Sequence, residues 1–174
     1  AVGKNALINN TEGDQNNAFG ANCLDANTTG EGNDAFGYET MGANTTGNYN
    51  VAMGSYSLDA NTTGASNTAV GRSALGGNTT GDGNVAVGRD ALKANTTAAD
   101  NTAVGLNALM TVETSANNTA VGTSALKLNT GADNTAVGRG SLLNNSTGAS
   151  NTAVGKDALN DNTTGNYNDA FGEN

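Results

Sequence analysis

The stretch NTAVGRSALGGNTTGDG, residues 67–83, decides the fold because the chain repeats it almost from end to end. A triplet of alanine, an apolar residue and glycine recurs eleven times in 174 residues. Nine of the ten spacings between these alanines are 17 residues, and the spacing from Ala120 to Ala136 is 16. Repetition of this strictness predicts a solenoid, in which one small unit stacks on the next. We therefore predict a single repeat domain over residues 1–174.

Each repeat is numbered here from its alanine, which is position 1. Position 2 is always Val, Phe or Met, and position 3 is always Gly. Position 6 is small, position 7 is Leu or Met, positions 10 to 13 usually read N-T-T-G, and position 16 is Asn in every complete unit. In the unit that begins at Ala69, the apolar positions are therefore Val70, Ala74 and Leu75.

The spacing of the apolar positions favours short strands over helices. Two apolar positions five residues apart, followed by a gap of twelve, do not fit a period of 3.6, and glycine at positions 3 and 13 disfavours a helix. We predict one strand at positions 16 to 2, a tight turn, a second strand near positions 5 to 8, and a long return turn through N-T-T-G. The predicted fold class is all-β: a parallel β-solenoid with one 17-residue coil per repeat. About ten coils stacked about 4.8 Å apart make a rod of about 48 Å.

The invariant asparagine of position 16 is predicted to form a structural column. Stacked amides at strand spacing can donate to one neighbouring coil and accept from the other. The column consists of Asn16, Asn33, Asn50, Asn67, Asn84, Asn101, Asn118, Asn134, Asn151 and Asn168. Glycine at positions 3 and 13 is predicted to supply positive φ angles. Ala98 and Ser115 interrupt the position 13 column and predict a locally altered turn.

The apolar positions predict that the chain associates with copies of itself. Each coil buries few large side chains, while ordering its 17 residues is costly, so a lone chain is marginal. Neighbouring residues of a strand face opposite sides, yet positions 1 and 2 are both apolar. We expect the large residues to fill the coil and the alanines to face another chain; the reverse assignment stays open. A homotrimer is the favoured closed arrangement, and symmetry also allows a dimer. The core and interface residues are Ala69, Val70, Leu75, Ala86, Val87, Leu92, Val104, Leu109, Val121 and Leu126.

Four segments carry a family resemblance: NTAVGRSAL at 67–75, NTAVGLNAL at 101–109, NTAVGTSAL at 118–126 and NTAVGKDAL at 151–159. They resemble the head repeats of trimeric autotransporter adhesins, whose N-S-V-A-I-G motif builds a left-handed parallel β-roll around a three-chain axis. They are equally similar to the N-T-A-V-G repeats of phage tail-fibre and bacterial surface proteins. The resemblance implies a structural and adhesive fibre segment outside the cell, on a cell or virion surface. It does not specify a ligand, and a host-surface glycan or protein is the candidate partner besides the chain itself. The adhesin coil is usually shorter, and the extra length here lies in the N-T-T-G turn.

Composition excludes several other classes of function. With 16 acidic residues, 7 basic residues and a net charge of −9, phosphate neutralisation and hence nucleic-acid binding are disfavoured. Without histidine, the single Cys23 at small position 6 is predicted to be a buried filler rather than a nucleophile. No apolar run is long enough for membrane insertion as a helix, and we predict no metal, no cofactor and no enzymatic activity. Because both ends lie inside the repeat, we expect a piece of a longer fibre.

Exposed residues that differ between coils are the candidates for receptor contact, although inert decoration is the favoured interpretation. These candidates are Tyr38, Tyr49, Tyr56 and Tyr167. The alternative function is binding to ice or another crystal surface through stacked threonines at positions 11 and 12, although adjacent threonines of an extended chain face opposite ways.

Phe19, Phe36 and Phe171 replace Val at position 2 and predict a wider roll at both ends. Stacked N-X-S/T sites predict unglycosylated asparagines, because glycans one coil apart would collide.

Overall fold

The computed structural model describes residues 1–173 and shows a parallel β-solenoid of about nine turns of 17 residues. Ten strands of three residues form one sheet in chain order. They are β1 (Asn17–Phe19), β2 (Asp34–Phe36), β3 (Val51–Met53), β4 (Thr68–Val70), β5 (Val85–Val87), β6 (Thr102–Val104), β7 (Thr119–Val121), β8 (Thr135–Val137), β9 (Thr152–Val154) and β10 (Asp169–Phe171). Every strand lies parallel to its neighbours, and identical repeat positions pair with each other. The predicted all-β solenoid is thus confirmed.

Each strand directs one residue inward and two outward, as the alternation of a β-strand requires. In β4 the inward residue is Ala69, which is fully buried, and the outward residues are Thr68 and Val70, which are half-buried. The same pattern recurs in the other strands of the stack. Alanine at position 1 therefore fits the narrow interior, where a larger side chain would separate the strand from the opposite wall of the coil.

The predicted second strand at positions 5 to 8 is wrong, because this segment is a turn. Positions 5 and 7 both adopt left-handed backbone angles, with φ of 57° at Ser73 and 51° at Leu75. The segment still bonds to its neighbours, since the Ser73 amide donates to Ser55 and the Leu75 amide donates to Ala91 on the other side. Left-handed residues break the alternation of an extended chain, so Ala74 and Leu75 are both fully buried on the same side.

The core is a narrow double row of side chains. Alanine at position 1 faces the small residue of position 6 and the leucine of position 7, and all three are fully buried in the coil of Ala69, Ala74 and Leu75. A leucine held at positive φ is uncommon. The leucine that recurs in this conformation, as at Leu92 and Leu109, is the largest fully buried side chain of its coil.

The expectation that all the large apolar residues fill the coil is wrong for position 2. Val70 and Val87 are half-buried, and Val104 and Val121 are exposed on the outer face of the sheet. The reverse assignment holds, with the small alanine inside and the large residue outside. The physical reason is strand alternation: the alanine of position 1 fits the narrow interior, so the adjacent residue at position 2 must point outward.

The two glycine columns have different physical causes. Gly71 at position 3 has a φ of 130°, in the left-handed half of the map that favours glycine. Gly64 at position 13 does not have a positive φ; instead, a Cβ there would lie 2.5 Å from the Asn61 Oδ1 and 2.6 Å from the Gly81 carbonyl oxygen. Crowding, not backbone strain, therefore selects glycine at position 13. Ala98 keeps the ordinary turn, accepting from Asn95 Nδ2 at 3.1 Å, so the altered turn predicted there is wrong.

The phenylalanines do not widen the roll, because position 2 lies outside it. Phe19 and Phe36 stack on the outer face with ring centroids 5.1 Å apart and planes 4° apart, and β1 and β2 keep the common register. Phe171 in β10 is likewise exposed. The widening predicted at the two ends is therefore wrong, and the phenylalanines instead enlarge the apolar surface of the sheet.

Candidate functional site

The asparagines of position 16 form a hydrogen-bonded ladder along the interior corner of the coils. The Asn67 backbone amide donates to the Asn50 Oδ1 at 2.9 Å, and the Asn67 Nδ2 donates to the same oxygen at 3.2 Å. The Asn67 Nδ2 also donates to the Gly81 carbonyl at 2.8 Å. The Asn67 Oδ1 accepts the equivalent pair from Asn84, at 2.9 and 3.1 Å. Each such residue thus joins three successive coils, and its polar atoms are all engaged inside the protein.

A second ladder runs beside the first at position 10, and the sequence reasoning missed it. The Asn61 Nδ2 donates to the Asn44 Oδ1 at 2.8 Å and to the Gly64 carbonyl at 2.9 Å. The Asn61 Oδ1 accepts from the Asn78 Nδ2 at 2.8 Å. The Gly64 carbonyl also accepts from Asn50 of the first ladder, at 2.9 Å, and so connects the two. The signal was present in the sequence, since N-T-T-G repeats nearly as strictly as the asparagine of position 16.

The second ladder also explains why glycosylation of the return turn is unsuitable. Asn27, Asn44, Asn61 and Asn78 are fully buried, and each donates its Nδ2 hydrogens inside the stack. A glycan on that nitrogen would remove a ladder bond and meet the neighbouring coil. The N-X-S/T pattern here is a by-product of the N-T-T-G turn.

The outer face of the sheet is the largest candidate interaction surface. We call it the apolar stripe; it comprises the position 2 residues Val2, Phe19, Phe36, Met53, Val70, Val87, Val104, Val121, Val137, Val154 and Phe171. Each is exposed or half-buried, with 36% of Val104 and 37% of Val121 accessible. Parallel pairing places these side chains one strand spacing apart in a single line. A continuous apolar line of this length on a flat sheet is typical of an interface.

The four candidate tyrosines do not form one site. Tyr38 and Tyr56 pack edge to face, with ring centroids 5.5 Å apart. Tyr49 covers the backbone of Gly32 on the return turn, and its hydroxyl lies 3.5 Å from the Glu31 carboxylate. Tyr167 stands apart and is 83% exposed. The structure therefore brings together only the first pair.

The two threonine columns behave differently. At position 11 the hydroxyl donates to the backbone of the next coil, as Thr62 Oγ1 does to the Thr79 carbonyl at 3.0 Å. At position 12 the side chain is exposed, as in Thr46, Thr63 and Thr80. One row of hydroxyls is thus used within the stack, and a single row faces solvent.

The single cysteine of the chain lies in the coil interior. Cys23 is fully buried, its Sγ lies 3.3 Å from the Ala35 carbonyl oxygen, and burial raises the pKa of the thiol to about 11. A thiol with so high a pKa is a poor nucleophile at neutral pH. Within residues 1–173 no group of three or more Cys, Asp or Glu side chains is placed to hold a metal ion.

Comparison of the chain with protein families, with curated proteins and with solved structures gives no match. Among the described residues, no helix is long and apolar enough to cross a membrane.

Proposed function

We propose that this chain is a non-catalytic segment of an extracellular fibre on a cell or virion surface, and that it assembles with copies of itself through the apolar stripe. Its role is to supply length and a regular outer surface for attachment. The observation that carries the proposal is the unbroken exposure of the stripe along all ten strands.

Self-association follows from the energetics of the two sheet faces. The inner face is sealed by alanine against the coil interior, whereas the outer face leaves valine, methionine and phenylalanine in water. Monomeric proteins rarely expose contiguous apolar surface of this length, because burying it is favourable by about 25 cal/mol per Å². A second copy presents a stripe with the same strand spacing, so one sheet fits another along its whole length.

Three copies around one axis is the arrangement that we propose. The resemblance of segments such as 67–75 and 118–126 to the heads of trimeric autotransporter adhesins favours a left-handed roll and a homotrimer. In that arrangement the stripe would face the axis, and the return turns would face outward. The net charge of −9 keeps the outer surface soluble and disfavours nucleic acid as partner.

Binding to ice or to another crystal surface is the weaker proposal. A crystal-binding face needs a flat two-dimensional array of groups. The threonines of position 12 present one row, because those of position 11 use their hydroxyls within the stack. A thermal-hysteresis measurement separates the proposals, since a self-associating fibre segment should show no hysteresis.

Light scattering on a pair of variants tests the proposal. In Val104→Asp/Val121→Asp two carboxylates stand on the stripe, and we expect the wild-type trimer mass to fall to that of a monomer. The control is Thr97→Glu, which places the same kind of charge at exposed position 12, where Glu12 occurs naturally. It should leave the trimer intact. A wild-type protein that remains monomeric and folded at micromolar concentration would contradict the proposal.

A further inference from the structure

A notch lined by glycine interrupts the turn surface of the rod at positions 8 and 9. Gly76 and Gly77 occupy these positions in one coil, while Asp59 precedes and Lys93 follows at position 8 of the neighbouring coils. The missing side chains open a groove of about 320 Å³. Such a volume lies at the small end of ligand sites and fits one or two sugar rings.

The backbone does not require glycine at Gly76. Its φ is not positive, and a Cβ there would lie 3.3 Å from the Ser73 carbonyl oxygen and 3.4 Å from that of Tyr56. These are tight contacts that a small adjustment would relieve, and Asp59 occupies the equivalent position one coil earlier. The glycine therefore leaves open a space that side chains fill at the same position of the two neighbouring coils, Asp59 and Lys93.

The walls of the notch combine an aromatic ring with charged groups. Tyr56 lines one side, and its edge-to-face packing with Tyr38 at 5.5 Å restrains the ring. Asp59 is half-buried beside it; its Oδ1 lies on the side of Gly42 in the preceding coil, and within residues 1–173 its carboxylate makes no hydrogen bond or ion pair. On the far side, the Lys93 ammonium lies 3.3 Å from the Asp90 carboxylate and keeps donors to spare.

We infer that this notch binds a neutral pyranose sugar. The Tyr56 ring offers an apolar face to the C–H side of the sugar, the Asp59 carboxylate accepts hydrogen bonds from its hydroxyls, and Lys93 donates to another. Asp25 and Glu39 lie close enough to act on the Asp59 carboxyl, and this negative charge disfavours acidic sugars. The inference deepens the proposed attachment function, on which it rests, by naming the class of ligand that the fibre surface recognises.

Saturation-transfer NMR tests the inference with four separate probes: the methyl pyranosides of glucose, galactose and mannose, and sialic acid. We expect at least one neutral glycoside to bind at millimolar concentration and sialic acid not to bind. Tyr56→Ser and Gly76→Asp should each weaken that binding at least about tenfold. Both substitutions copy residues found at the same repeat position, namely Ser73 and Asp59, so the fold should be kept.

The matched control is Tyr49→Ser, which removes an exposed tyrosine from the return turn, where Ser66 stands at the same position. It should leave sugar binding unchanged. Absence of saturation transfer with all three neutral glycosides would overturn the inference, as would equal losses in Tyr56→Ser and Tyr49→Ser. Light scattering on the same samples keeps the two proposals apart: a trimer that binds no sugar contradicts only the notch, and a monomer that binds sugar contradicts only the assembly.

Discussion

The regular coils between Asn33 and Asn84 differ from the joint around residues 112–134, and the difference shows what holds the stack together. In the regular coils both ladders are continuous. At the joint, Val112 replaces the asparagine of position 10, and the buried Asn95 Oδ1 is left without a donor. The next coil is one residue shorter, and its Asn129 turns back to bond Gly131 in its own coil.

The sheet and the backbone-amide bonds of the first ladder cross the joint, whereas the Asn118 Nδ2 donates to the Ser115 and Ala116 carbonyls of its own coil. The Asn118 amide donates to the Asn101 Oδ1 at 2.9 Å, and the Asn134 amide donates to the Asn118 Oδ1 at 3.0 Å. β7 and β8 pair in the common register despite the missing residue. The stack therefore tolerates a defect in the return turn because the strands and the backbone-amide bonds of the position 16 ladder still join the coils.

The return turn itself does change at the joint. In a regular coil, the amides of Thr62 and Thr63 both donate to the Thr79 carbonyl. At the joint the Ser115 hydroxyl donates to the Thr130 carbonyl, and within the described chain no two amides of residues 113–115 donate to one carbonyl of the next coil. The altered turn predicted at Ser115 from the sequence is thus present.

Breaking the regular ladder should have the largest effect. Asn67→Ala removes a fully buried amide and leaves the Asn84 amide, the Asn50 Oδ1 and the Gly81 carbonyl short of partners. We expect a loss of about 3–5 kcal/mol in the free energy of unfolding, measured by chemical denaturation. Asn107→Ser is the control, because position 5 already accepts serine in other coils. A loss below about 1 kcal/mol would show that the ladder does not hold the coils.

Repairing the defective ladder should have a smaller and opposite effect. Val112→Asn supplies the missing donor to the Asn95 Oδ1, and we expect a net gain of about 1 kcal/mol after the loss of apolar burial. Val112→Thr is the control: it has nearly the shape of valine but its hydroxyl does not restore an amide ladder, so it should destabilise the fold. Thermal unfolding followed by circular dichroism distinguishes these outcomes. Stabilisation by threonine as well would contradict the ladder as the cause.

The smallest effect is expected from the charge on the turn surface. Burial, followed by the Glu39 and Asp25 carboxylates, raises the pKa of Asp59 above its ordinary value. The folded protein then binds this proton more tightly than the unfolded chain, so stability falls as pH rises through the folded pKa and is constant above it. Asp59→Asn should therefore raise Tm at pH 7 and leave it unchanged near pH 3. An equal shift at both values would assign the effect to packing instead.

The strict repeat was sufficient to predict the solenoid, the parallel pairing and the inward leucine of position 7, because identical residues must stack when coils of equal length pile up. The second strand was mispredicted because Leu75 adopts a positive φ, which residue type does not reveal. Position 2 was expected inside because its residue is large, but the narrow interior takes the alanine, and strand alternation then turns position 2 outward. The notch at Gly76 could not be predicted from the sequence. A glycine at a variable repeat position indicates a groove only when the side chains of the coils on either side are known.

The two asparagine columns give the rod a chemical direction. In the regular coils the side-chain oxygens of these columns accept from the coil that follows, as Asn27 accepts from Asn44 and Asn33 from Asn50, so each coil offers acceptors to the one after it. If two rods met through their C-terminal ends, ladder acceptors would face acceptors. If they met through their N-terminal ends, ladder donors would face donors. Only head-to-tail contact would let the columns continue, so any axial joining of these rods must be polar, like the growth of an open filament.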